Sequence, residues 1–260
     1  MARLTPAVMR AFDILELYVG GAARLTPADV MRLTDLPKTT VFELVNTLTA
    51  RGYLERDDFG GYSLGPRALR LGNAYAARYD LVGEANDLAR SVAHTTGETC
   101  SVAILEGTEV FYLAKVEGRD VMALASSVGR RVPANSTGLG KALLACLSAD
   151  QFDALYAGAE LPALTERTIT DLDALRAELA ATRERGYALE REESGPGVAC
   201  AAAPILDVAR HAVAAVSVSV PLARWDQHPV EHWARIVVDA AAGMSVRLGG
   251  SGAPAPTPAP

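Results

Sequence analysis

The tract from residue 25 to residue 64 limits the possible folds more than any other part of the chain. Thr26 is a good N-cap, and Asp29 three residues later completes a box-like helix start. Pro37 then interrupts the chain, and a second helix is expected over residues 38–51. Two short helices joined by a tight turn are typical of a helix-turn-helix.

A two-stranded ribbon is predicted directly after these helices. Residues 52–64, GYLERDDFGGYSL, place two short strands around an Asp-Asp-Phe-Gly-Gly turn, which is a hairpin signature. An earlier helix is indicated by the spacing of Val8, Phe12 and Val19, and it ends at Gly20. Three helices and a ribbon make a winged helix-turn-helix.

The last of the three helices has an unusual face opposite its apolar stripe of Val41, Val45 and Leu48. On that face Asn46 can pair with adenine and Glu43 can accept from cytosine, while threonine or phenylalanine can pack on a thymine methyl. Basic side chains at the helix ends and in the ribbon suit phosphate contacts. The predicted DNA-binding residues are Lys38, Thr39, Thr40, Phe42, Glu43, Asn46, Thr47, Arg51 and Arg56.

Polar residues on a helix are also commonly no more than solvated, and some winged helices bind proteins instead of DNA. The order of the elements, a capped helix, a tight turn, a second helix and a ribbon, favours DNA binding. The formal net charge of −6 is uneven, since residues 1–72 hold nine Arg and Lys against eight Asp and Glu. This balance permits nucleic-acid binding, but a single copy would bind weakly. We therefore expect a dimer or higher oligomer.

The rest of the chain mixes strands and helices without strict βαβ repetition, which favours an α+β fold. A helix is expected from residue 65 to about residue 77, and a hairpin is expected to turn at residues 106–108. The further expected elements are helices over 139–147, 171–186 (capped by Thr170) and 230–249, and strands over 186–192, 198–206 and 212–222.

Several segments in order resemble the IclR family of bacterial transcription regulators. LPKTTVFELVNTLTARGYL and YSLGPRALRLG look like its DNA-binding half, and VPANSTGLGKALLA, RERGYALEREES and VACAAAPILD look like its effector-binding half. The resemblance covers residues 7 to about 248 and implies a linker helix, a GAF-like α/β sensor domain and assembly as dimers or tetramers. The expected domains are a winged helix-turn-helix at 1–64, a linker helix at 65–79, the GAF-like effector-binding domain at 80–248 and a disordered tail at 249–260.

Two segments of the second half have the features of a small-ligand site. In residues 212–221 Val216 and Val218 alternate with Ser217 and Ser219, so one strand face offers small hydroxyls, although from the residues alone this face could be a hydrated outer one. The sequence STGLGK opens a helix whose first N–H groups suit an anion. It lacks the pattern of a P-loop, and a plain helix start capped by a hydroxyl is the alternative.

The resemblance implies which residues contact the effector. Glu190 stands where the family often has an aspartate, and its longer side chain reaches into the pocket, shrinks it, or points to solvent like its neighbours Glu192 and Glu193. Cys200 matches a cysteine in some relatives' pockets, with packing as the alternative role. The expected effector-binding residues are Gly138 and Leu139 through their backbone amides, and Glu190, Cys200, Ser217 and Ser219.

Nothing in the sequence indicates an enzyme, a cofactor or a metal site. No GxSxG or HExxH motif occurs, and Cys200, Asp207 and His211 have no recognisable catalytic context. Pro229 separates His228 from the helix that would carry His232, which argues against a shared metal. Three widely spaced cysteines, no apolar run long enough to span a membrane and no secretory signal predict a cytoplasmic protein with reduced thiols.

These observations predict a transcription regulator that represses a catabolic operon. Its expected partners are double-stranded operator DNA, a small organic or aromatic acid, and further copies of the chain as a homodimer or tetramer. The alternatives are a metabolite-binding enzyme or sensor that uses the winged helix for protein contacts, and a DNA-binding protein without an effector.

Overall fold

Internal contacts divide the chain into two units, Met1–Asp80 and Leu81–Pro260. This computed structural model describes residues 4–19, 22–76, 81–119, 127–207 and 209–248. The predicted tail lies outside the described residues. The finer predicted boundaries within each unit stay predictions.

The first unit consists of helices and a two-stranded ribbon in the predicted order. The Thr26 hydroxyl accepts the N–H of Asp29, and the Asp29 carboxylate accepts the N–H of Thr26, which forms a complete capping box. The ribbon strands pair antiparallel. The winged helix-turn-helix is therefore confirmed. Its elements are α1 (Pro6–Val19), α2 (Pro27–Thr34), α3 (Lys38–Ala50), β1 (Leu54–Arg56), β2 (Tyr62–Leu64) and α4 (Pro66–Ala76).

The core of this unit uses a different face of α1 from the one whose spacing predicted the helix. Ile14 is fully buried, and the buried Tyr18 donates its hydroxyl to the carbonyl oxygen of Tyr62 at 3.1 Å. In contrast, Val8, Phe12 and Val19 are exposed. The periodicity predicted the helix correctly, but α1 has two apolar stripes and the sequence does not say which one the core takes.

The ribbon is tied to the segment before α2 by an ion pair. The guanidinium of Arg24 donates to both carboxylate oxygens of Asp57, the first residue of the turn between β1 and β2. This bond lowers the pKa of Asp57 to about 2. Gly61 makes the approach possible, since a Cβ there would lie 2.2 Å from Cζ of Arg24. We call the segment from β1 to β2 the wing.

The second unit contains the predicted elements and several that the sequence reading missed. The missed ones include a 16-residue helix, α5, two shorter helices and the short strand β5. Helix α8 is capped by Asp171, whose carboxylate accepts the N–H of Ala174, so the expected cap Thr170 was wrong by one residue. The elements are α5 (Leu81–Thr96), β3 (Thr99–Glu106), β4 (Glu109–Val116), β5 (Arg131–Pro133), α6 (Gly138–Leu144), α7 (Ala149–Tyr156), α8 (Leu172–Arg185), β6 (Ala188–Arg191), β7 (Val198–Leu206), β8 (Ala212–Pro221), α9 (Leu222–Trp225) and α10 (Val230–Arg247).

Six strands form one antiparallel sheet in the order β5-β4-β3-β8-β7-β6, which confirms the α+β class. One face packs against α5 and α10, and α6 covers the other. Val216, Val218 and Val220 belong to the apolar core between the sheet and helices α5 and α10. Ala202 and Ala215 belong to the core on the other face, which includes α6. The sheet is therefore buried on both faces at its centre. Within the described residues, no helix is long and apolar enough to cross a membrane.

Candidate functional site

Helix α3 presents to solvent the face that the sequence predicted. Val41 and Val45 are fully buried, whereas Thr39, Glu43 and Asn46 on the opposite side are exposed. Phe42 is exposed too, Thr40 is half-buried, and the hydroxyl of Thr47 donates to the carbonyl oxygen of Glu43 at 2.7 Å. This face thus offers amide, carboxylate, hydroxyl and aromatic groups within one helix.

Three predicted cations surround this face. Lys38 is the first residue of α3, Arg51 follows its last turn, and Arg56 lies on β1; all three are exposed. Arg24, which precedes α2, is held by Asp57 in the wing. Its charge is used inside the unit, so it contributes less to an approaching phosphate than its position in the sequence suggests.

The predicted effector residues line one small cavity between α6 and the sheet. The cavity volume is about 20 Å³, close to the space of a single water molecule. All six expected residues border it, and four others join them. None of these four was among the predicted effector-binding residues. The additional residues are Tyr112, Val132, Thr137 and Ser194.

The floor of the cavity is made by neighbouring residues of β7 and β8. Cys200 lies opposite Ser219 in the strand register, and its thiol donates to the Ser219 hydroxyl at 3.1 Å. Ser217 lies opposite Ala202, whose small side chain leaves the hydroxyl uncovered from that side. Complete burial and the nearby Glu190 carboxylate raise the pKa of the Cys200 thiol well above its ordinary value. Cys200 is therefore a neutral hydrogen-bonding group and not a nucleophile.

Glu190 places a carboxylate inside the cavity wall. It is 1 % exposed, and its Oε1 accepts the backbone N–H groups of Glu193 at 2.6 Å and Ser194 at 2.9 Å. Its Oε2 has no hydrogen-bond partner in the described part of the chain. A buried acceptor without a donor is costly, and Glu190 is one of the residues that line the cavity. A donor would satisfy this oxygen.

A second buried carboxylate, Glu193, is paired with a buried lysine. Lys141 of α6 is 1 % exposed and donates to Glu193 Oε1 at 2.6 Å. Burial raises the pKa of Glu193, and Lys141 opposes that shift. The hydroxyl of Thr168 also donates to the carbonyl oxygen of Glu193 at 2.7 Å. The expectation that Glu193 faces solvent was wrong, because the loop after β6 folds back over α6.

The start of α6 was predicted as an anion site or a plain capped helix. The Thr137 hydroxyl accepts the N–H of Gly140 at 2.9 Å, so Thr137 is the cap. The N–H groups of Gly138 and Leu139 precede the first intrahelical bond and border the cavity. Gly140 lets α6 pass close to Ala134, since a Cβ there would lie 2.1 Å from the Ala134 carbonyl oxygen. The start of α6 is therefore both a capped helix end and a part of the cavity wall.

The histidines do not gather a metal site. His228 and His232 stack with ring centroids 4.4 Å apart, but the described residues contain no group of three or more metal-ligating side chains around them. His211 lies beside Asp207 in the turn after β7, with Nδ1 3.8 Å from a carboxylate oxygen, while Cys200 lies within β7. These residues form no catalytic constellation.

Comparison with known proteins decides the family. A model described as "Bacterial transcriptional regulator IclR C-terminal" matches residues 73–246, and one described as "IclR helix-turn-helix domain" matches residues 7–58. The chain belongs to the IclR family. It is an IclR-type DNA-binding transcription regulator, and because this family consists of regulators, the expectation that the chain is not an enzyme is confirmed.

Relatives in the IclR family match along nearly the whole chain. The HTH-type transcriptional regulator BhcR of Paracoccus denitrificans is 36% identical over 92% of this chain and 86% of its own length. The HTH-type transcriptional repressor AllR of Salmonella typhi is 30% identical over 94% of this chain and 90% of its own. An IclR homolog of Microbacterium hydrocarbonoxydans, solved in complex with 4-hydroxybenzoate, superposes with a TM-score of 0.81 at 25% identity, covering 94% and 99% of the two chains.

Two glycines of α6 give a matched test of how this site is built. Gly140→Ala drives a Cβ into the backbone of Ala134 and should destabilise the second unit by about 3 kcal/mol or more. Gly138→Ala meets only Cβ atoms at 3.4 Å or beyond and should change stability by less than about 1 kcal/mol. Urea unfolding followed by tryptophan fluorescence reports on this unit, because Trp225 and Trp233 both lie in it. Equal stability of the two variants would contradict the close approach at Gly140.

Proposed function

We propose that this IclR-type regulator binds operator DNA as a homodimer or tetramer, represses a catabolic operon, and is controlled by a small organic or aromatic acid. Helix α3 enters the major groove, and the cations around it contact phosphates. The acid binds between α6 and the sheet of the second unit. The observation that carries the proposal is the small cavity lined by Glu190, whose second carboxylate oxygen is buried without a partner among the described residues.

The exposed face of α3 supports base contacts by chemistry and by placement. The Asn46 amide offers a donor and an acceptor, the pattern that pairs with adenine, while Glu43 accepts only. Thr39, one turn from Glu43, suits a thymine methyl or a phosphate. Lys38 in the first turn of the helix lies where the chain approaches the DNA backbone.

The cavity supports an effector with two kinds of group. Ser217, Ser219 and the N–H groups that open α6 are donors suited to a carboxylate. Glu190 Oε2 is an acceptor, and it favours an acid that also carries a hydroxyl, amide or hydrazide N–H. Among relatives, the homolog from Microbacterium hydrocarbonoxydans was solved with 4-hydroxybenzoate, which has both groups. Hydroxy acids, aromatic hydroxy acids and amide-like precursors are therefore preferred to simple keto acids.

An apolar groove in the first unit supports assembly into dimers. Side chains of α1, α3, β2 and α4 border a groove of about 710 Å³ whose walls are largely apolar, and Glu43 and Thr47 of the proposed DNA-binding face also line it. Phe12 is 53 % exposed there, and Val8 and Leu71 are also exposed. Apolar surface of this kind marks an association site. A second copy is the partner that paired half-sites on DNA require.

Repression and its release result from a shift in the populations of two arrangements of the assembly. The effector changes DNA affinity only through its different affinity for two arrangements of the assembly. Repression is supported by the relative AllR, which is a transcriptional repressor. We place the protein in the cytoplasm, where operator DNA and small catabolic acids are both accessible. A DNA-binding protein without an effector is the second candidate, favoured by the small size of the cavity.

The DNA-binding face can be tested by a double substitution. Thr39→Ala with Asn46→Ala should weaken operator binding by at least roughly ten-fold, because each base contact contributes about 1–3 kcal/mol of discrimination. A band-shift on the DNA upstream of the chain's own gene, at fixed salt with non-specific competitor, measures the loss. The control is Thr95→Ala with Gln227→Ala, which removes an exposed hydroxyl and an exposed amide from the second unit. Unchanged binding by the first variant would refute the assignment of α3.

The effector site can be tested without disturbing DNA binding. Ser217→Ala with Ser219→Ala should keep operator affinity in the absence of effector and lose the response to it by at least roughly ten-fold, since two donors to a charged group are removed. Titration of the protein–DNA complex with a panel of hydroxy, aromatic and keto acids gives the response. Ser101→Ala is the matched control, because Ser101 is buried opposite Ser217 on β3 but does not line the cavity. An equal loss in both would point to a general packing effect.

The role of the groove in assembly can be tested by placing a charged side chain in it. Phe12→Asp places a carboxylate in the apolar groove, so it should halve the mass of the assembly and weaken operator binding, because charged groups are disfavoured at the centre of interfaces. Light scattering coupled to gel filtration measures the mass. Leu164→Asp, at an exposed apolar position in the second unit, is the control. If Phe12→Asp leaves the mass unchanged, the groove does not hold the copies together.

A further inference from the structure

Phe59 stands at the tip of the wing with its ring in solvent. Its exposed fraction is 90 %, the highest among the large apolar side chains of the described residues. The ring makes no aromatic or cation contact within that part of the chain. Folding of the unit therefore does not account for an aromatic residue at this position.

The turn that carries Phe59 is fixed before any partner arrives. Asp57 Oδ1 accepts the N–H groups of Phe59 at 2.8 Å and Gly61 at 2.9 Å, and the N–H of Gly60 donates to the Asp57 carbonyl oxygen at 3.2 Å. Gly60 has a φ of 77°, which glycine adopts without strain. Arg24 holds the same carboxylate from the other side. The ring is thus presented on an ordered turn, and little entropy is lost when it binds.

The charges around the tip permit an approach to DNA. Arg24 neutralises Asp57, so the turn carries less negative charge than its Asp-Asp sequence suggests. Arg56 lies beside Gly60 and supplies a cation to the turn. Only three residues separate the end of α3 from the start of β1, so the wing adjoins the recognition helix. DNA in contact with α3 therefore brings its neighbouring groove to the wing.

We infer that Phe59 is an apolar wedge that enters the minor groove beside the site read by α3 and partly unstacks a base step there. Wedges of this kind are phenylalanine, leucine, isoleucine, methionine or proline in proteins that kink DNA from the minor groove. The steps that unstack most easily are TA and CA/TG. The wing then selects sequence through deformability and not through hydrogen bonds. The inference rests on the proposed binding of operator DNA by α3.

The test compares full-length protein with Phe59→Ala and Phe59→Leu. Sites are first selected from random DNA by each protein, and affinity is then measured on the site selected by the wild type. The side chain is exposed, so both variants should unfold at the wild-type temperature. Phe59→Ala should bind roughly ten-fold more weakly, as expected for the loss of one base-stacking contact, with an unchanged salt slope because no ionic contact is removed. Phe59→Leu, which is still apolar, should retain most of the affinity.

Two further readouts distinguish insertion of Phe59 into the DNA from a general loss of DNA affinity. The preference for a flexible step flanking the α3 site should disappear from the motif selected by Phe59→Ala. A 2-aminopurine at that step should brighten with the wild type and not with Phe59→Ala. If the wild type selects no motif, the proposed DNA binding fails. If it selects one and Phe59→Ala has the same motif, affinity and fluorescence, only the wedge is refuted. An altered assembly mass with intact DNA binding would assign Phe59 to protein contacts and refute the wedge as well.

Discussion

Small side chains on the central strands allow α6 to pack closely on the sheet, and the candidate effector site depends on that contact. Gly140 passes against the backbone of Ala134, and a Cβ at Gly138 would meet Ala202 at 3.4 Å. A Cβ at Gly140 would push the helix away from the turn that follows β5. Because the helix lies close, its first residues, Gly138 and Leu139, border the same small cavity as Ser217 and Ser219. Close packing of α6 therefore brings the polar groups of the candidate site together.

Burial then determines how the polar groups of this region are satisfied. Lys141 lies under the loop after β6, where it needs a carboxylate, and Glu193 supplies one. Glu190 accepts two N–H groups of the same loop through one oxygen. The loop is thus held by charged groups, and the second carboxylate oxygens of Glu190 and Glu193 have no hydrogen-bond partner among the described residues. The same five consecutive residues, 190–194, thus contain the ion-paired Glu193 and two residues that line the cavity, Glu190 and Ser194.

The sequence predicted elements and faces better than it predicted which residues meet. Alternation in β8 correctly separated Val216 from Ser217, because strand side chains point to opposite faces whatever covers them. The same reasoning could not foresee the burial of Glu193, which depends on a loop folding over α6. It also missed α5, although Leu88 and Val92 have helical spacing. In α1 the periodicity of Val8 and Phe12 was real, but the face that packs is chosen by the tertiary contacts of Ile14 and Tyr18.

The size of the cavity bears on how an effector could act at all. A space of about 20 Å³ does not hold an organic acid, so binding requires α6, the loop after β6, or both to move away from the sheet. That displacement breaks or rearranges the contacts of Glu190 and Glu193 and must be offset by the contacts of the acid. A ligand that needs such an opening necessarily has different affinities for the closed and open forms. Linkage between two sites requires such a difference in affinity. A cavity that must open to bind the acid is therefore compatible with regulation.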